Sequence, residues 1–241
     1  MEKYYKNHLA HIHDKYFGDL SKNAALDLIT NIWTNQTGRN VIDIGCGSGI
    51  LASILVANDF SVTGVDISND ILEIARKRAP SAKFIHASLH NFEFSPCDIV
   101  TAIGEPINYL FDHKSNYESC FIFFNKVYNN LEGNGLFVFD FLTTKIGLND
   151  SSKIIEKEDM TMFLSVAIDK DNSILKRTMI YFIKDGNFYV RDTETHKQYL
   201  FDEKVIVDQL LSIGFEVKKI DGYNGHQFRD GHIGLICNKV K

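Results

Sequence analysis

The chain has 241 residues, enough for one domain with an elaboration, and its 44% apolar, 12% aromatic and 24% charged residues suit a globular protein with a proper core. A net charge of −5 argues against a protein that wraps nucleic acid, which carries a basic footprint. Cys46, Cys97, Cys120 and Cys237 form no C-x-x-C pair and lie far apart, so neither a disulfide framework nor a metal site is expected, and reduced cytoplasmic thiols are the plain reading.

The N-terminus has no apolar signal region and no apolar run approaches membrane-spanning length, so no membrane attachment is expected. Residues 2–17 carry Tyr4, Tyr5, His8, His11, His13 and Tyr16 and read as a short helical cap. Ser21 reads as the N-cap of a helix to about Asn35, with Ala25, Leu28, Ile29 and Ile32 on one face. Arg39–Ile44 is a first strand. Gly45-Cys46-Gly47-Ser48-Gly49 turns it sharply into a helix whose inner face is Ile50, Leu51, Ile54 and Leu55. Ser61–Asp66 is a second strand, and Ser68 caps a helix that must stop before Pro80. Lys83–Ala87 and Asp98–Ile103 are the third and fourth strands. From Lys114 to Leu131 the positions Tyr117, Cys120, Phe121, Phe124, Val127, Tyr128 and Leu131 keep helical spacing. Gly133-Asn134-Gly135 breaks that helix, and Leu136–Phe141 is a fifth strand.

The pattern changes after Thr143. Met160–Ile168, Ser173–Lys184 and Asn187–Phe201 are long β-rich stretches separated by the turn sequences Asp171-Asn172 and Asp185-Gly186-Asn187. Residues 145–201 therefore read as an antiparallel β insert. Asp202 caps a helix that ends at Gly214, and Phe215–Ile220 and Gly231–Asn238 add two strands. Alternating strands and helices predict an α/β fold, a doubly wound, seven-stranded, mostly parallel sheet. Its core comprises residues 1–144, including the N-terminal helical cap, and 202–241, with residues 145–201 as a β roof over the site.

In such sheets ligands bind at the carboxyl ends of the strands, near the switch in strand order. The glycine loop lets backbone approach a ligand, and the helix behind it offers free N–H groups and partial positive charge. Asp66 follows the loop by about 20 residues, the distance at which an acid reaches ribose hydroxyls; alternatively it only caps the next helix. Two ligand classes use this turn. Dinucleotides need G-x-G-x-x-G, but here the third glycine is Gly49 and Ile50 stands where that pattern has glycine.

Asp43-Ile44-Gly45-Cys46-Gly47-Ser48-Gly49 resembles motif I of class I S-adenosylmethionine (SAM)-dependent methyltransferases. Gly64-Val65-Asp66-Ile67-Ser68 is similar to their acidic ribose-binding strand end, and Gly133–Phe141 to their glycine turn and fifth strand. The resemblance runs from about Asp14 to the end of the chain. It implies a Rossmann-like fold with SAM as cofactor. The backbone of Gly45, Cys46, Gly47 and Gly49, preceded by Asp43, would lie against the methionine moiety and ribose. Asp66 and Ile67 would hold the ribose, Ser88 and Leu89 the adenine, and Ile103 would border the cofactor from the fourth strand. Many relatives have Asp where Ser88 stands. The insert is similar to that of small-molecule N-methyltransferases acting on amino acids and amino sugars, where it roofs the pocket, and Arg191–Tyr199 resembles the strand leading back to the core. His13-Asp14 falls where relatives often carry a Tyr-Asp pair near the methionine end of SAM.

Methyl transfer from a sulfonium is an in-line displacement that mainly needs alignment and exclusion of water. An amine acceptor must be unprotonated and a hydroxyl usually needs a base. Glu105, Tyr109 and His13 are the catalytic candidates, with Asn108 and His196 behind them; Glu105 is expected to face the methionine end of SAM or an amino group. Ile103-Gly104-Glu105-Pro106 is not the Asn-Pro-Pro-Tyr that methylates exocyclic DNA amines. The expected activity is SAM-dependent methylation of an amine or hydroxyl on a small molecule, with no nucleic-acid partner and an open oligomeric state. Competing readings are a non-catalytic SAM-binding module, an NAD(P)-dependent oxidoreductase and a methyltransferase of protein or RNA. The run Arg76-Lys77-Arg78 reads as a solvated helix end.

Overall fold

A computed structural model describes residues 4–5, 7–34, 37–111, 115–146 and 150–240. Residues 2, 3 and 6 of the expected cap, the helix end near Asn35 and the helix start at Lys114 lie outside the described residues. The chain runs α1 (Asn7–Tyr16), α2 (Asp19–Asp27), β1 (Asn40–Ile44), α3 (Ile50–Val56), β2 (Ser61–Asp66), α4 (Asn69–Arg78), β3 (Lys83–His86) and β4 (Cys97–Ala102). It continues with α5 (Tyr117–Asn130), β5 (Leu131–Leu142), β6 (Ser151–Lys157), β7 (Met160–Asp169), β8 (Ile174–Asp185), β9 (Phe188–Tyr199), α6 (Glu203–Ile213), β10 (Phe215–Ile220), β11 (Gly222–Tyr223), β12 (His226–Gln227) and β13 (His232–Lys239).

Seven strands form one sheet in the order β10-β13-β5-β4-β1-β2-β3, in which only the β10–β13 and β13–β5 pairs are antiparallel. The order reverses between β1 and β4, so a crevice opens at their carboxyl ends. Along β5 the side chains alternate between the two faces. Phe137, Phe139 and Phe141 join Phe123 and Phe124 of α5 and Ile206 and Leu210 of α6 on one face. Leu136 and Val138 join Ala25 and Leu28 from the α2 segment and Leu51 and Leu55 of α3 on the other. This two-sided burial explains why β5 reads as a continuous apolar run.

Sequence-local caps fix the helices as expected at two places. Ser68 Oγ accepts from the Ile71 amide at 3.4 Å, and Asp202 Oδ1 accepts from Lys204 and Val205 at 2.8 and 3.3 Å. Ser21 is not a cap: α2 begins at Asp19 and the following turn, Leu28–Ile32, is a π-helix. The Gly133–Gly135 break is also displaced. The helix ends at Asn130, and Leu131 already pairs with Cys97 while Leu136 pairs with Ile99, so the glycines form a bulge inside β5.

The second sheet, β6-β7-β8-β9, is antiparallel throughout. Its edge strand β6 was missed in the sequence because its residues are nearly all polar or exposed. Met160, Met162, Met179 and Tyr181 on its inner face pack on Leu9 and Ile12 of α1. Single bridges, Tyr109 to Gln198 and Thr143 to Phe201, tie this sheet to the core. Helix α1 thus sits between the second sheet and helix α4.

Candidate active site

The loop between β1 and α3 holds Gly45, Gly47 and Gly49 at φ of 69°, 53° and 74°, a region open to glycine and costly to other residues. The three glycines have different neighbours. A Cβ on Gly45 would meet the Pro106 ring at 2.8 Å and one on Gly49 would meet Ala75 at 3.0 Å. A Cβ on Gly47 would find nothing nearer than Ile71 at 3.8 Å, so its bare backbone borders the crevice. Asp66 Oδ2 accepts from the Gly47 amide at 3.0 Å and Oδ1 from the Ser68 amide at 2.9 Å. Burial pushes the Asp66 carboxyl up, against the lowering effect of those two bonds. Two amides leave this carboxylate further acceptor capacity facing the crevice.

Gly45, Cys46, Gly47, Asp66, Ile67, Ser88, Leu89, Ile103, His13 and Tyr109 all border one crevice. Asp43, Gly49 and Glu105 do not. Asp43 lies beneath the loop, only 2% exposed, accepting from Thr101 Oγ1 at 2.7 Å; burial raises its carboxyl to about 7. Val65, Ile67 and Leu89 give apolar walls beside the Asp66 carboxylate. Flat apolar walls, a carboxylate able to take a vicinal diol and an open glycine backbone match the donor set an adenosyl group requires.

The far end of the crevice is walled by rings from three segments: Tyr5 and His13 from the cap, and Tyr109 and Phe111 from the loop after β4, with His196 of β9 packed against them. The Tyr5 and Tyr109 hydroxyls are 3.2 Å apart. Burial raises both phenols, and both carry their protons at neutral pH. Burial also lowers the His13 imidazole to about 4, overriding Asp14, so the ring is neutral. Its Nδ1 is buried with no partner. His196 is buried rather than exposed on its strand; its Nε2 lies 3.0 Å from Glu194 Oε2, which also accepts from the Tyr5 amide at 2.9 Å. Burial likewise holds His196 below its ordinary value.

Glu105 takes a different position from the one the sequence suggests. Its carboxylate is buried and accepts from Gln198 Nε2 at 2.6 Å and from an Arg229 nitrogen at 2.9 Å, with an Arg177 nitrogen at 3.5 Å. Burial alone would push this acid up; Arg177, Arg229 and His232 outweigh it and hold the carboxyl below its usual range. A carboxylate so occupied is a poor proton acceptor. It fastens the loop after β4 to the second sheet and to the segment before β13. Asn108, also buried, bonds the Leu142 and Tyr199 carbonyls at 2.9 and 2.6 Å and takes the Leu142 amide at 3.0 Å.

The Arg76–Arg78 run is not simply solvated. Arg78 reaches Asp14 of α1 through both nitrogens and also donates to the Ser48 carbonyl and Oγ at 2.8 and 2.9 Å. It therefore clasps the cap to the glycine loop. Sequence reasoning also missed Arg177 and Glu194 of the roof. An arginine and a glutamate on inward strand positions are the signal that could have found them, since an ionised group there needs a partner.

Known proteins share this fold. Residues 41–125 match a family model described as a methyltransferase domain. A Geobacillus sp. (strain WCH70) protein named as a candidate methyltransferase is 28% identical over 194 residues, 77% of each chain. A SAM-dependent methyltransferase of Clostridium acetobutylicum superposes with a TM-score of 0.82 at 20% identity, over 98% of this chain and 99% of that one. The amino pentose methyltransferase CalS10 of Micromonospora echinaspora, solved with SAM bound, superposes with a TM-score of 0.74 at 14% identity, over 100% and 99%. Residues 41–125 thus carry a methyltransferase domain, and the chain has the Rossmann-like fold of class I SAM-dependent methyltransferases. Among the described residues, no helix is long and apolar enough to cross a membrane.

Proposed function

We propose that this methyltransferase transfers the sulfonium methyl of SAM to an uncharged amine on a small molecule. The observation that carries the reading is the chemistry of the acceptor end: aromatic faces, a neutral imidazole with an unpartnered nitrogen, and no lysine or arginine among the described residues bordering the crevice. Ring faces favour a nitrogen that gains positive charge as it attacks. The described guanidinium nearest that end, Arg177, reaches the Tyr109 hydroxyl at 3.5 Å from behind the wall and is already engaged by the Glu105 carboxylate, so it is a poor counter-ion for a carboxylate or phosphate acceptor. The residue roles follow from position. Asp66 holds the ribose diol, Ser88 and Leu89 flank the adenine, and the Gly45–Gly47 backbone and Ile103 border the remainder of SAM. Tyr109 and Tyr5 orient the acceptor, and His13 Nδ1 accepts one of its N–H bonds. Residues 1–144 and 202–241 form the SAM-binding core and 145–201 the roof, and the protein works in the cytoplasm.

Methyl transfer from SAM is the chemistry supplied when the cofactor is bound; the chain's own part is to align, to dehydrate and to keep the acceptor deprotonated. CalS10 supports the amine choice by its name, which describes an amino pentose methyltransferase. Radiolabelled methyl incorporation from SAM into a panel of amines, alcohols and carboxylic acids tests the proposal. Labelling confined to amines is expected. Labelling of alcohols or acids in preference to amines overturns the acceptor class, and binding of SAM with no labelling of any member of the panel overturns catalysis.

A further inference from the structure

The turn that leaves β4 owes its shape to a side chain from the next strand. Asp140, at the end of β5, is 0% exposed. Its Oδ1 accepts from the amides of Gly104 and Glu105 at 3.1 and 2.9 Å and lies 2.9 Å from His232 Nε2. Its Oδ2 accepts from Gly104 again at 3.0 Å and from the Tyr223 hydroxyl at 3.2 Å. Donors from three separate segments thus converge on one buried carboxylate. The two residues it holds are both left-handed, Gly104 at φ 87° and Glu105 at φ 68°, and the second carries a side chain that disfavours this conformation.

Every described peptide bond is trans, and a trans peptide points its N–H and C=O in opposite directions. With the Gly104 and Glu105 amides aimed at Asp140, the carbonyls of Ile103 and Gly104 must point away from it. Both residues border the crevice, and a Cβ on Gly104 would meet nothing within 4 Å, so that side of the turn is open. Neither carbonyl takes a backbone hydrogen bond from another described turn or loop residue. The turn lies two strands from Asp66 across the sheet, β4 to β1 to β2, or roughly 10 Å at ordinary strand spacing. If Asp66 holds a ribose, the group attached beyond that sugar reaches this turn.

We infer that Asp140 is a positioning residue, which turns the Ile103 and Gly104 carbonyls toward the crevice so that their negative ends face the sulfonium of SAM. The inference rests on the SAM reading of the crevice and deepens it. It makes the turn after β4 a charge-sensing wall that separates SAM, a cation at sulfur, from the neutral product S-adenosylhomocysteine. Tyr223 and His232 act one step further back, by fixing the carboxylate. The same wall would favour departure of the spent cofactor.

Calorimetric titration with SAM and with S-adenosylhomocysteine tests this. In Asp140→Ala the Gly104 and Glu105 amides lose their shared acceptor, so both peptides are free to turn. SAM is expected to weaken at least tenfold more than S-adenosylhomocysteine, with the circular dichroism of the wild type retained. A merely structural role would weaken both ligands alike, and an unchanged ratio in a folded variant overturns the inference. Should that variant not fold, a crystal structure of the wild-type chain with SAM decides. The sulfonium methyl carbon is expected within about 3.6 Å of the Ile103 or Gly104 oxygen; carbonyls directed elsewhere overturn the inference. A wild type that binds neither ligand refutes the SAM reading itself, which separates the two failures.

Discussion

Replacing Asp66 by alanine sets two consequences against each other. The carboxylate accepts two backbone amides, from Gly47 and Ser68, and burial raises its pKa in spite of them. Without ligand it is therefore a charge held partly against its solvation, and its loss should leave the thermal midpoint of the free protein unchanged or slightly higher. With SAM the position is reversed. Each charge-assisted bond to a ribose hydroxyl is worth roughly 1.5–3 kcal/mol. Losing even one weakens binding by about tenfold to about 150-fold, and losing both weakens it further. Titration of the wild type and Asp66→Ala with SAM, beside thermal melts of both without ligand, reads the two effects separately. Unchanged affinity would refute the ribose assignment. Lost affinity with a collapsed thermal midpoint would mean that Asp66 mainly holds the glycine loop.

Four further outcomes are expected. Asp43 titrates near 7 in the folded chain against an ordinary 3.8, so the folded state retains a proton that the unfolded state has released between those values. Its contribution to stability is complete below about 4, falls by at most roughly 4 kcal/mol as pH rises to about 7, and is flat above; urea melts of Asp43→Asn should lack that slope. Arg78→Ala opens the Asp14–Ser48 clasp and should cost roughly 1–2 kcal/mol of cap attachment, read as faster SAM release in stopped flow; an unchanged rate would mean the cap is held elsewhere. His13→Phe keeps the ring but removes Nδ1, so kcat/KM for the acceptor should fall while S-adenosylhomocysteine affinity stays within about twofold, since only the proposed contact to the acceptor is lost. Phe139, fully buried and stacked 4.4 Å from Phe137, should cost roughly 3–5 kcal/mol on truncation to alanine, seen as a lower urea midpoint.

That the glycine loop and Asp66 border one crevice could be read from the sequence because the determinants are short-range. Gly45, Gly47 and Gly49 lie within five residues, and strand β2 delivers Asp66 to the same edge by ordinary alternation of strand and helix. The sheet and its antiparallel companion were legible for the same reason. What failed was pairing across distance. Glu105 was expected to face SAM or an amino group, yet its partners are Arg177 and Arg229, from a roof strand and a late loop. Arg78 looked solvated at a helix end, yet α1 brings Asp14 to it. The glycines at 133 and 135 looked like a stop; pairing of Leu131 with Cys97 turned them into a bulge instead. Periodicity carries no information on such partners, because each is decided only when separate elements dock.

The attachment of the N-terminal segment to the second sheet and to α4 has a consequence for biosynthesis. Tyr5 is anchored by Glu194, Lys15 by Asp159 and Asp14 by Arg78, so the enclosure joins the beginning of the polypeptide to its last quarter. A chain still emerging from the ribosome can fold its glycine loop early, but it cannot shut the chamber until the strands around Glu194 have been made. Competence to sequester a methyl donor should therefore arrive abruptly and late in translation.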